Sequence, residues 1–133
     1  MMNVLIVDDS KLMREMVAAS LRPLGEIAFV FAETGLEALE RLAHTGFDLL
    51  VLDLDMPDLG GLEVTEFVRA EERFRTLPIL VVTARSDDTS RTRLLEAGAS
   101  GFVAKPFAPQ HLLEQARNLM SDGRAAASKH AAT

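Results

Sequence analysis

Short apolar runs alternate along the chain with longer segments in which apolar residues recur at helical spacing. Five runs have the length and the β-branched content of strands, and they lie at residues 4–7, 27–31, 48–52, 79–82 and 102–104. The helical pattern fills the segments after them, at residues 10–24, 36–43, 62–68, 87–97 and 109–120. The alternation therefore predicts a strand followed by a helix, repeated five times.

The first, third and fourth runs are apolar at successive positions, so both faces of these strands are predicted to be buried. Strands of this kind form a parallel sheet with helices on both sides, in a doubly wound α/β layer with right-handed crossovers. A chain of 133 residues, 48% of them hydrophobic, suffices for one such domain, which we place at residues 1–120. Residues 121–133 carry no apolar stripe and are predicted to form a flexible tail.

The first and fourth helices differ in their apolar content. Ser10 can cap the first helix, and its apolar stripe is predicted to comprise Leu12, Met13, Met16, Val17, Leu21 and Leu24. The fourth helix is the most polar of the five, and its predicted apolar positions are Leu94, Leu95 and Ala97. Because it has the fewest apolar anchors, this helix is predicted to move most easily.

Composition narrows the classes of function. The net charge of −6 argues against direct binding to nucleic acid. The absence of cysteine excludes disulfides and thiolate metal sites, and it fits a reducing cytoplasm. No apolar run is long enough to cross a bilayer, and the first residues lack the basic region of a secretory signal. We therefore expect a cytoplasmic protein that binds neither nucleic acid nor a membrane.

Chemically active side chains follow the carboxyl ends of the predicted strands, where ligands bind in open parallel sheets. They are Asp8 and Asp9 after the first run, Asp53 and Asp55 after the third, Thr83 after the fourth and Lys105 after the fifth. Clustered carboxylates repel one another, so either the pKa of one of them rises or a cation binds between them. Oxygen ligands alone favour a hard ion, so we expect Mg²⁺, with Mn²⁺ as a substitute. With donors from lysine and threonine nearby, a carboxylate can accept a phosphoryl group and form an aspartyl phosphate.

Four motifs together resemble the receiver domain of two-component response regulators. They are Val7-Asp8-Asp9-Ser10, Asp53-Leu54-Asp55-Met56-Pro57, Thr83-Ala84 and Lys105-Pro106. The resemblance covers residues 3–120 and implies a flavodoxin-like, five-stranded parallel sheet of order 2-1-3-4-5 with five helices. The opening Val7-Asp8-Asp9-Ser10 with Met13-Arg14 is similar to chemotaxis-type, single-domain members.

The resemblance also implies a role for each motif residue. Asp53 would be the phosphoacceptor, Asp9 a direct Mg²⁺ ligand and Asp8 an outer-sphere partner. Asp53 and the backbone carbonyl of Asp55 would complete the protein ligands. Thr83 and Lys105 would bind the phosphoryl group, and Phe102 falls at the position of the switch aromatic. The peptide bond between Lys105 and Pro106 is expected to be cis.

The implied protein is a signalling protein and not an enzyme, beyond catalysing its own phosphorylation and dephosphorylation. A sensor histidine kinase or a histidine phosphotransfer protein would supply the phosphoryl group. Movement of Thr83 and Phe102 would then reshape a face formed by the fourth helix, the fifth strand and the fifth helix, where a downstream protein binds. We expect a monomer, with dimerisation on phosphorylation as an open alternative.

Two charged residues stand at positions where the family is variable. Asp55 lies two residues after the expected acceptor, and Arg85 lies two residues after Thr83. Both are predicted to overlook the phosphoryl group, where their charges can pair. We hypothesise that this pair tunes the access of water and hence the lifetime of the phosphoryl group.

Other classes of function remain open at this point. Asp53-Leu54-Asp55 after an apolar strand also resembles the nucleophile and acid of haloacid-dehalogenase-like phosphatases, although Asp8 and Asp9 would then have no role. A flavodoxin-like cofactor module would need a phosphate-binding loop rich in Ser, Thr and Gly, which is missing after the first run. A phosphorylation-dead interaction domain, or a receiver excised from a larger regulator, are the remaining alternatives.

Overall fold

The fold is described by a computed structural model that covers the backbone of residues 1–132 and the side chains of residues 1–121. Five parallel strands form one sheet: β1 (Met2–Val7), β2 (Ile27–Ala32), β3 (Leu49–Leu52), β4 (Ile79–Thr83) and β5 (Gly101–Ala104). Their order is β2-β1-β3-β4-β5. The α-helices in the described chain are α1 (Lys11–Leu21), α2 (Gly35–His44), α3 (Gly61–Ala70), α4 (Asp88–Ala97) and α5 (Pro109–Ala132). The predicted flavodoxin-like fold is confirmed.

Helices cover both faces of the sheet, which explains the continuous apolar runs. Along β1, Leu5 and Val7 belong to the core beneath α2, α3 and α4. Val4 and Ile6 alternate with them and belong to the core beneath α1 and α5. All four side chains are at most 1% exposed, as expected for a central strand of a parallel sheet.

The rotation of α1 about its own axis differs from the prediction. The face that packs on the sheet carries Val17, Ala18 and Leu21, together with the buried Arg14. Leu12 and Met16, which were assigned to the apolar stripe, are 67% and 42% exposed. The assignment was wrong because helical spacing defines a stripe but does not say which side of it meets the sheet. In α4, Leu95 is likewise exposed, and Leu94 is the buried residue of that helix.

Local signals fix the helix ends. The side-chain oxygens of Ser10, Thr34 and Asp87 accept hydrogen bonds from the backbone N–H three residues later, at 3.0–3.2 Å, and so cap α1, α2 and α4. Gly98 ends α4 in the left-handed conformation, with φ at 114°. Two 3-10 turns at Arg22–Leu24 and Glu72–Phe74 were not predicted.

The last helix runs beyond its predicted end. Its backbone is helical from Pro109 to Ala132. A flexible tail was expected at residues 121–133, and the backbone of this segment continues α5 as far as Ala132. Thr133 and the side chains after Ser121 lie outside the described part of the structure. Within the described residues, no helix combines the length and the hydropathy needed to cross a bilayer.

The strand register brings the motif residues to one edge of the sheet. Val7 of β1 is paired with Leu52 of β3, so Asp8 and Asp53 leave adjacent strands at the same level. The backbone N–H of Asp53 donates to the carbonyl of Val7 at 3.0 Å. Gly61 then lets α3 begin against this loop, because a Cβ there would lie 2.4 Å from the carbonyl oxygen of Asp53.

Asp58 connects the loop after β3 to the start of α2. Its two carboxylate oxygens accept hydrogen bonds from the backbone N–H groups of Gly35 and Leu36, each at 3.1 Å. Such N–H groups have no partner within their own helix, and the helix dipole favours an anion there. Desolvation acts to raise the pKa of Asp58, but hydrogen bonds from the backbone of Leu59, Leu36 and Gly35 outweigh it and lower the pKa.

We expect Asp58→Asn to lower the thermal unfolding midpoint at neutral pH, because an amide binds these N–H groups less strongly than a carboxylate. Since folding lowers the pKa of Asp58, its stabilising effect is present above the ordinary carboxyl pKa of about 3.9 and is lost as the pH falls through the folded value. The difference in midpoint between wild type and variant should therefore shrink below about pH 4. Circular dichroism melts across this range measure it.

Glu40→Gln is the matched control, because it removes the same charge from an exposed position of α2. It should leave the midpoint nearly unchanged at every pH. A midpoint difference for Asp58→Asn that is equal at neutral and acidic pH would show that the carboxylate charge does not act through the start of α2.

Candidate functional site

Three carboxylates meet at the carboxyl edge of the sheet. The side chains of Asp8, Asp9 and Asp53 each offer an oxygen, and these oxygens lie within 4.8 Å of one another. Asp8 and Asp53 are 4% and 7% exposed, whereas Asp9 is exposed at the rim. The structure thus brings together acids from two different strand ends, as the sequence predicts.

Both the side chain and the backbone of Asp8 form hydrogen bonds. One carboxylate oxygen accepts a hydrogen bond from the backbone N–H of Ser10 at 2.9 Å, and the other accepts one from Nζ of Lys105 at 2.8 Å. Its backbone carbonyl accepts a hydrogen bond from Nη1 of Arg14 at 2.7 Å, and its N–H donates to the carbonyl of Ala32 at 3.1 Å. The position of Asp8 is therefore determined by four hydrogen bonds, whose partners lie in α1 and its cap, in β2 and directly after β5.

Lys105 reaches the acids from the far side of the site. Its Nζ lies 2.8 Å from Oδ2 of Asp8 and 3.5 Å from Oδ1 of Asp53, and its side chain is 16% exposed. Because the strand order is β1-β3-β4-β5 on this side of the sheet, the long side chain passes the end of β4 to reach Asp53 and the ends of both β4 and β3 to reach Asp8. The peptide bond between Lys105 and Pro106 is cis.

Burial and mutual charge change the acid–base properties of the site. Burial raises the pKa of Asp53 above its ordinary value; Lys105 acts to lower it, and the neighbouring Asp8 adds to the increase. For Lys105, desolvation acts to lower the pKa, but the hydrogen bond to Asp8 and the charge of Asp53 outweigh it, so the pKa is raised. The lysine therefore remains a cation beside the acids.

Thr83 ends β4, the strand next to Asp53, and is fully buried. Its hydroxyl oxygen accepts a hydrogen bond from the backbone N–H of Arg85 at 3.0 Å. The hydroxyl hydrogen remains able to donate to an acceptor in the site. The backbone carbonyl of Thr83 accepts a hydrogen bond from the backbone N–H of Lys105 at 2.8 Å, which connects the ends of β4 and β5.

Asp55 and Arg85 form an ion pair at the opening of the site. Nε of Arg85 lies 3.2 Å from Oδ2 of Asp55, with side-chain exposures of 61% and 55%. The pair borders an open cavity of about 610 Å³, which Asp9, Met56 and Leu94 also line. The two charges that were predicted to lie close enough to pair are thus in contact in the structure.

Phe102 lies half-buried against the core beneath α2, α3 and α4. The guanidinium carbon of Arg91, from α4, lies 5.7 Å from the centre of its ring, within the range of a cation–π interaction. The sequence analysis assigned no role to Arg91. The two residues are distant in the chain, so no spacing rule connects them.

The donor set of the site fits a hard divalent cation. Its side-chain donors are carboxylates alone, without His or Cys, and such sets favour Mg²⁺ over Zn²⁺. One partner of these acids was missed, the buried Arg14. A signal for it existed, because Arg14 shares the helical spacing of Val17, Ala18 and Leu21, and an arginine on a buried face needs a polar partner.

Comparisons with known proteins agree with this site. The family model described as the response regulator receiver domain matches residues 4–117. The chain is 40% identical over 114 residues to the chemotaxis protein CheY of Pseudomonas aeruginosa, covering 86% of this chain and 92% of the relative. It is 37% identical over 115 residues to the chemotaxis protein CheY1 of Helicobacter pylori, covering 86% and 93%.

Solved structures give the same result. The Vibrio cholerae chemotaxis protein CheY4 superposes with a TM-score of 0.82 at 33% identity, covering 90% of this chain and 98% of that one. A CheY-like receiver domain protein from Methanospirillum hungatei superposes with a TM-score of 0.86 at 25% identity, covering 95% and 98%. These matches lend no support to a haloacid-dehalogenase-like phosphatase. The chain belongs to the response regulator receiver family, and it is a phosphorylation-dependent signalling protein of the two-component type.

Proposed function

We propose that Asp53 accepts the phosphoryl group. The observation that carries this proposal is the cluster of three carboxylates within 4.8 Å of one another, with Lys105 beside two of them. Asp8 uses both of its carboxylate oxygens in hydrogen bonds at 2.8–2.9 Å, and Asp9 lies at the exposed rim. Asp53 is buried at the centre of the edge and has the longer, 3.5 Å contact with Lys105, which leaves it the most available nucleophile.

In the proposed reaction, a carboxylate oxygen of Asp53 forms a bond to phosphorus while the bond from phosphorus to the donor's leaving group breaks. Asp9, Asp53 and the backbone carbonyl of Asp55 would hold Mg²⁺, with Asp8 as an outer partner. The ion supplies neutralisation of the charge on the phosphoryl oxygens. Lys105 binds a phosphoryl oxygen once Asp53 has become an acyl phosphate, and the hydroxyl of Thr83 donates to another. In dephosphorylation, the oxygen of a water molecule bonds to phosphorus while the bond from phosphorus to the Asp53 oxygen breaks, which releases phosphate and restores the carboxylate. The protein would in this way catalyse its own phosphorylation and dephosphorylation.

The names of its relatives suggest the pathway. The relatives from P. aeruginosa and H. pylori are both called chemotaxis proteins, and we extend this to a chemotaxis-type role for this chain. Its phosphoryl donor is a histidine kinase or a histidine phosphotransfer protein, and the chain acts in the cytoplasm as a monomer. Residues 1–120 form the receiver unit, and residues 121–133 form a tail.

The signal would leave the site through Thr83 and Phe102. A phosphoryl group adds a charge of roughly −1.5 to −2, and the buried Thr83 hydroxyl turns toward it. Phe102 then moves toward the space beside Thr83, which changes the face formed by α4, β5 and α5. α4 can move with this face because a single residue of the helix, Leu94, is buried in the core. A downstream protein binds the changed face.

The free energy of the new hydrogen bonds determines what fraction of the phosphorylated protein switches without a bound downstream protein. Hydrogen bonds to a charged group contribute about 1.5–3 kcal/mol each. A change of population from 1:99 to 99:1 needs about 5.5 kcal/mol. One or two such bonds from Thr83 and Lys105 supply about 1.5–6 kcal/mol, which reaches the required value only when both bonds form at full strength. Binding of the downstream protein supplies what is missing below that.

The ion pair between Asp55 and Arg85 borders the open cavity that Asp9 also lines, and we infer that water reaches the phosphoryl group from this cavity. An exposed pair contributes only about 0–1 kcal/mol to stability, so its role here is access and not folding. With the pair closed, the approach of water from the side of the cavity is restricted. We propose that the pair lengthens the lifetime of the phosphoryl group.

Incubation with acetyl phosphate and Mg²⁺, read by intact mass, tests the acceptor. We expect the mass of one phosphoryl group to be added to the wild type and to be absent in Asp53→Asn or when a chelator removes Mg²⁺. Asp58→Asn, which changes an acid of the same loop, should still be modified. Undiminished modification of Asp53→Asn would overturn the proposal, and turnover of a simple phosphate ester would favour a phosphatase instead.

Loss of the phosphoryl group tests the ion pair. We expect Asp55→Asn and Arg85→Ala each to dephosphorylate faster than wild type, because either change opens the pair. The double variant should be no faster than the faster single variant, since the two residues act as one unit. Arg93→Ala is the control, because Arg93 lines the same cavity. Dephosphorylation rates equal to that of wild type in both single variants would contradict the proposed role of the ion pair.

Nuclear magnetic resonance of the Phe102 ring tests the switch. Arg91→Ala removes a cation–π contact that contributes about 0.5–1 kcal/mol at an exposed site, which corresponds to a two- to fivefold change in population. We expect the ring signals to shift in the unphosphorylated variant toward their positions with a beryllium fluoride mimic. Arg93→Ala, which changes another arginine of α4, should leave them in place. Ring signals that do not respond to the mimic in wild type would contradict the switch.

A further inference from the structure

Arg14 is a charged residue on the buried face of α1. It is 9% exposed, and it shares this face with Val17, Ala18 and Leu21. Burial of a guanidinium group is costly unless its N–H groups find acceptors. A buried arginine in this position therefore calls for an explanation from its contacts.

The contacts of Arg14 lie directly behind the acid cluster. Its Nη1 donates a hydrogen bond to the backbone carbonyl of Asp8 at 2.7 Å. Its Nη2 lies 3.6 Å from Oε1 of Glu33, whose side chain is 67% exposed. The short bond to the carbonyl is buried, so it is the contact that can control geometry.

The carbonyl of Asp8 belongs to the peptide unit that also contains the N–H of Asp9. Since a peptide unit is planar, fixing this carbonyl fixes the orientation of the plane from which Asp9 begins. The other contacts of Asp8 involve its own N–H and its carboxylate. The bond from Arg14 therefore holds the peptide unit before the exposed Asp9, and the bond from the N–H of Ser10 to the Asp8 carboxylate holds the peptide unit after it.

We propose that Arg14 is a positioning residue, which directs the carboxylate of Asp9 toward the divalent cation that the site takes. This inference rests on the proposed metal site and adds a residue that orients its exposed ligand. Groups that orient ligands in this way typically change metal affinity by roughly 10–100-fold when they are removed.

The charge of Arg14 has the opposite effect on a cation. A positive group near three carboxylates lowers their attraction for Mg²⁺, so removing the charge alone would strengthen binding. Loss of orientation would weaken it. The direction of the change in affinity therefore tells which of the two effects governs.

Titration of the folded full-length chain with Mg²⁺ alone, followed by calorimetry and by the amide signal of Asp9, is the test. We expect Arg14→Met, which removes the charge and the donors but keeps an apolar stem, to bind Mg²⁺ about tenfold more weakly. Arg14→Lys keeps the charge and loses the planar fork, and it should also bind more weakly, by a smaller factor. The matched control is Arg41→Met, which removes an arginine paired with Glu37 on α2 and should bind Mg²⁺ as wild type does.

Glu33→Gln separates the two contacts of Arg14. It removes the ion pair and leaves the bond to the Asp8 carbonyl, so we expect less than a twofold change in Mg²⁺ affinity. Tighter or unchanged binding by folded Arg14→Met would overturn the proposal. If that variant does not fold, Arg14→Lys decides in the same way, because weaker binding supports the proposal and unchanged binding overturns it.

Phosphorylation by acetyl phosphate separates this inference from the proposed function. With Arg14→Met, we expect the Mg²⁺ concentration for half-maximal rate to rise about tenfold, with a much smaller change in the maximal rate. If wild-type Asp53 is not phosphorylated, the proposed acceptor is wrong, but the effect of Arg14 on Mg²⁺ binding is still measured. If Asp53 is phosphorylated and the Mg²⁺ dependence is unchanged in Arg14→Met, only the role of Arg14 fails.

Discussion

Three carboxylates within 4.8 Å of one another at the end of a sheet repel one another, and this repulsion is offset by positive charge beside them or by a raised pKa. Lys105 supplies that charge from β5, with its Nζ 2.8 Å from Asp8 and 3.5 Å from Asp53. The contact joins the outer part of the sheet to its centre. The acid cluster therefore depends on a residue from outside the centre of the sheet, because Lys105 follows β5 and its side chain spans the ends of β4 and β3 to reach Asp8.

The same repulsion explains why the site suits phosphoryl chemistry. The buried Asp53 has a raised pKa because burial and the adjacent Asp8 both oppose its charge. A divalent cation would relieve this repulsion, and in the proposed function Lys105 would bind the negative charge that a phosphoryl group brings. Folding thus brings negative charges together, and a bound cation offsets their repulsion, as is common at functional sites.

The elements around the site differ in how firmly they are held. Asp8 is fixed by four hydrogen bonds, including the one from Arg14. α4 is anchored at its carboxyl end, where Arg69 of α3 donates hydrogen bonds at 2.9 Å to the carbonyls of Gly98 and Phe74. Its amino-terminal half is held by the contact of Arg91 with the Phe102 ring at 5.7 Å, and a cation–π contact of this kind is weaker than hydrogen bonds from a charged group. A rigid acid cluster beside a loosely held helix is the arrangement that a phosphorylation switch requires.

The sequence by itself determined the order of the elements, the two-sided burial of the sheet and the acids, hydroxyl and lysine at the strand ends, because period and residue type are local properties. It was also enough to recognise the family from four motifs in the right order. It did not determine how α1 is rotated, so Leu12 and Met16 were assigned to the apolar stripe and Arg14 was overlooked. Nor did it predict that Asp58 meets the start of α2 or that Arg91 covers Phe102. Those contacts join residues far apart in the chain or on different helices, and only the packing of the helices against the sheet decides which polar groups meet.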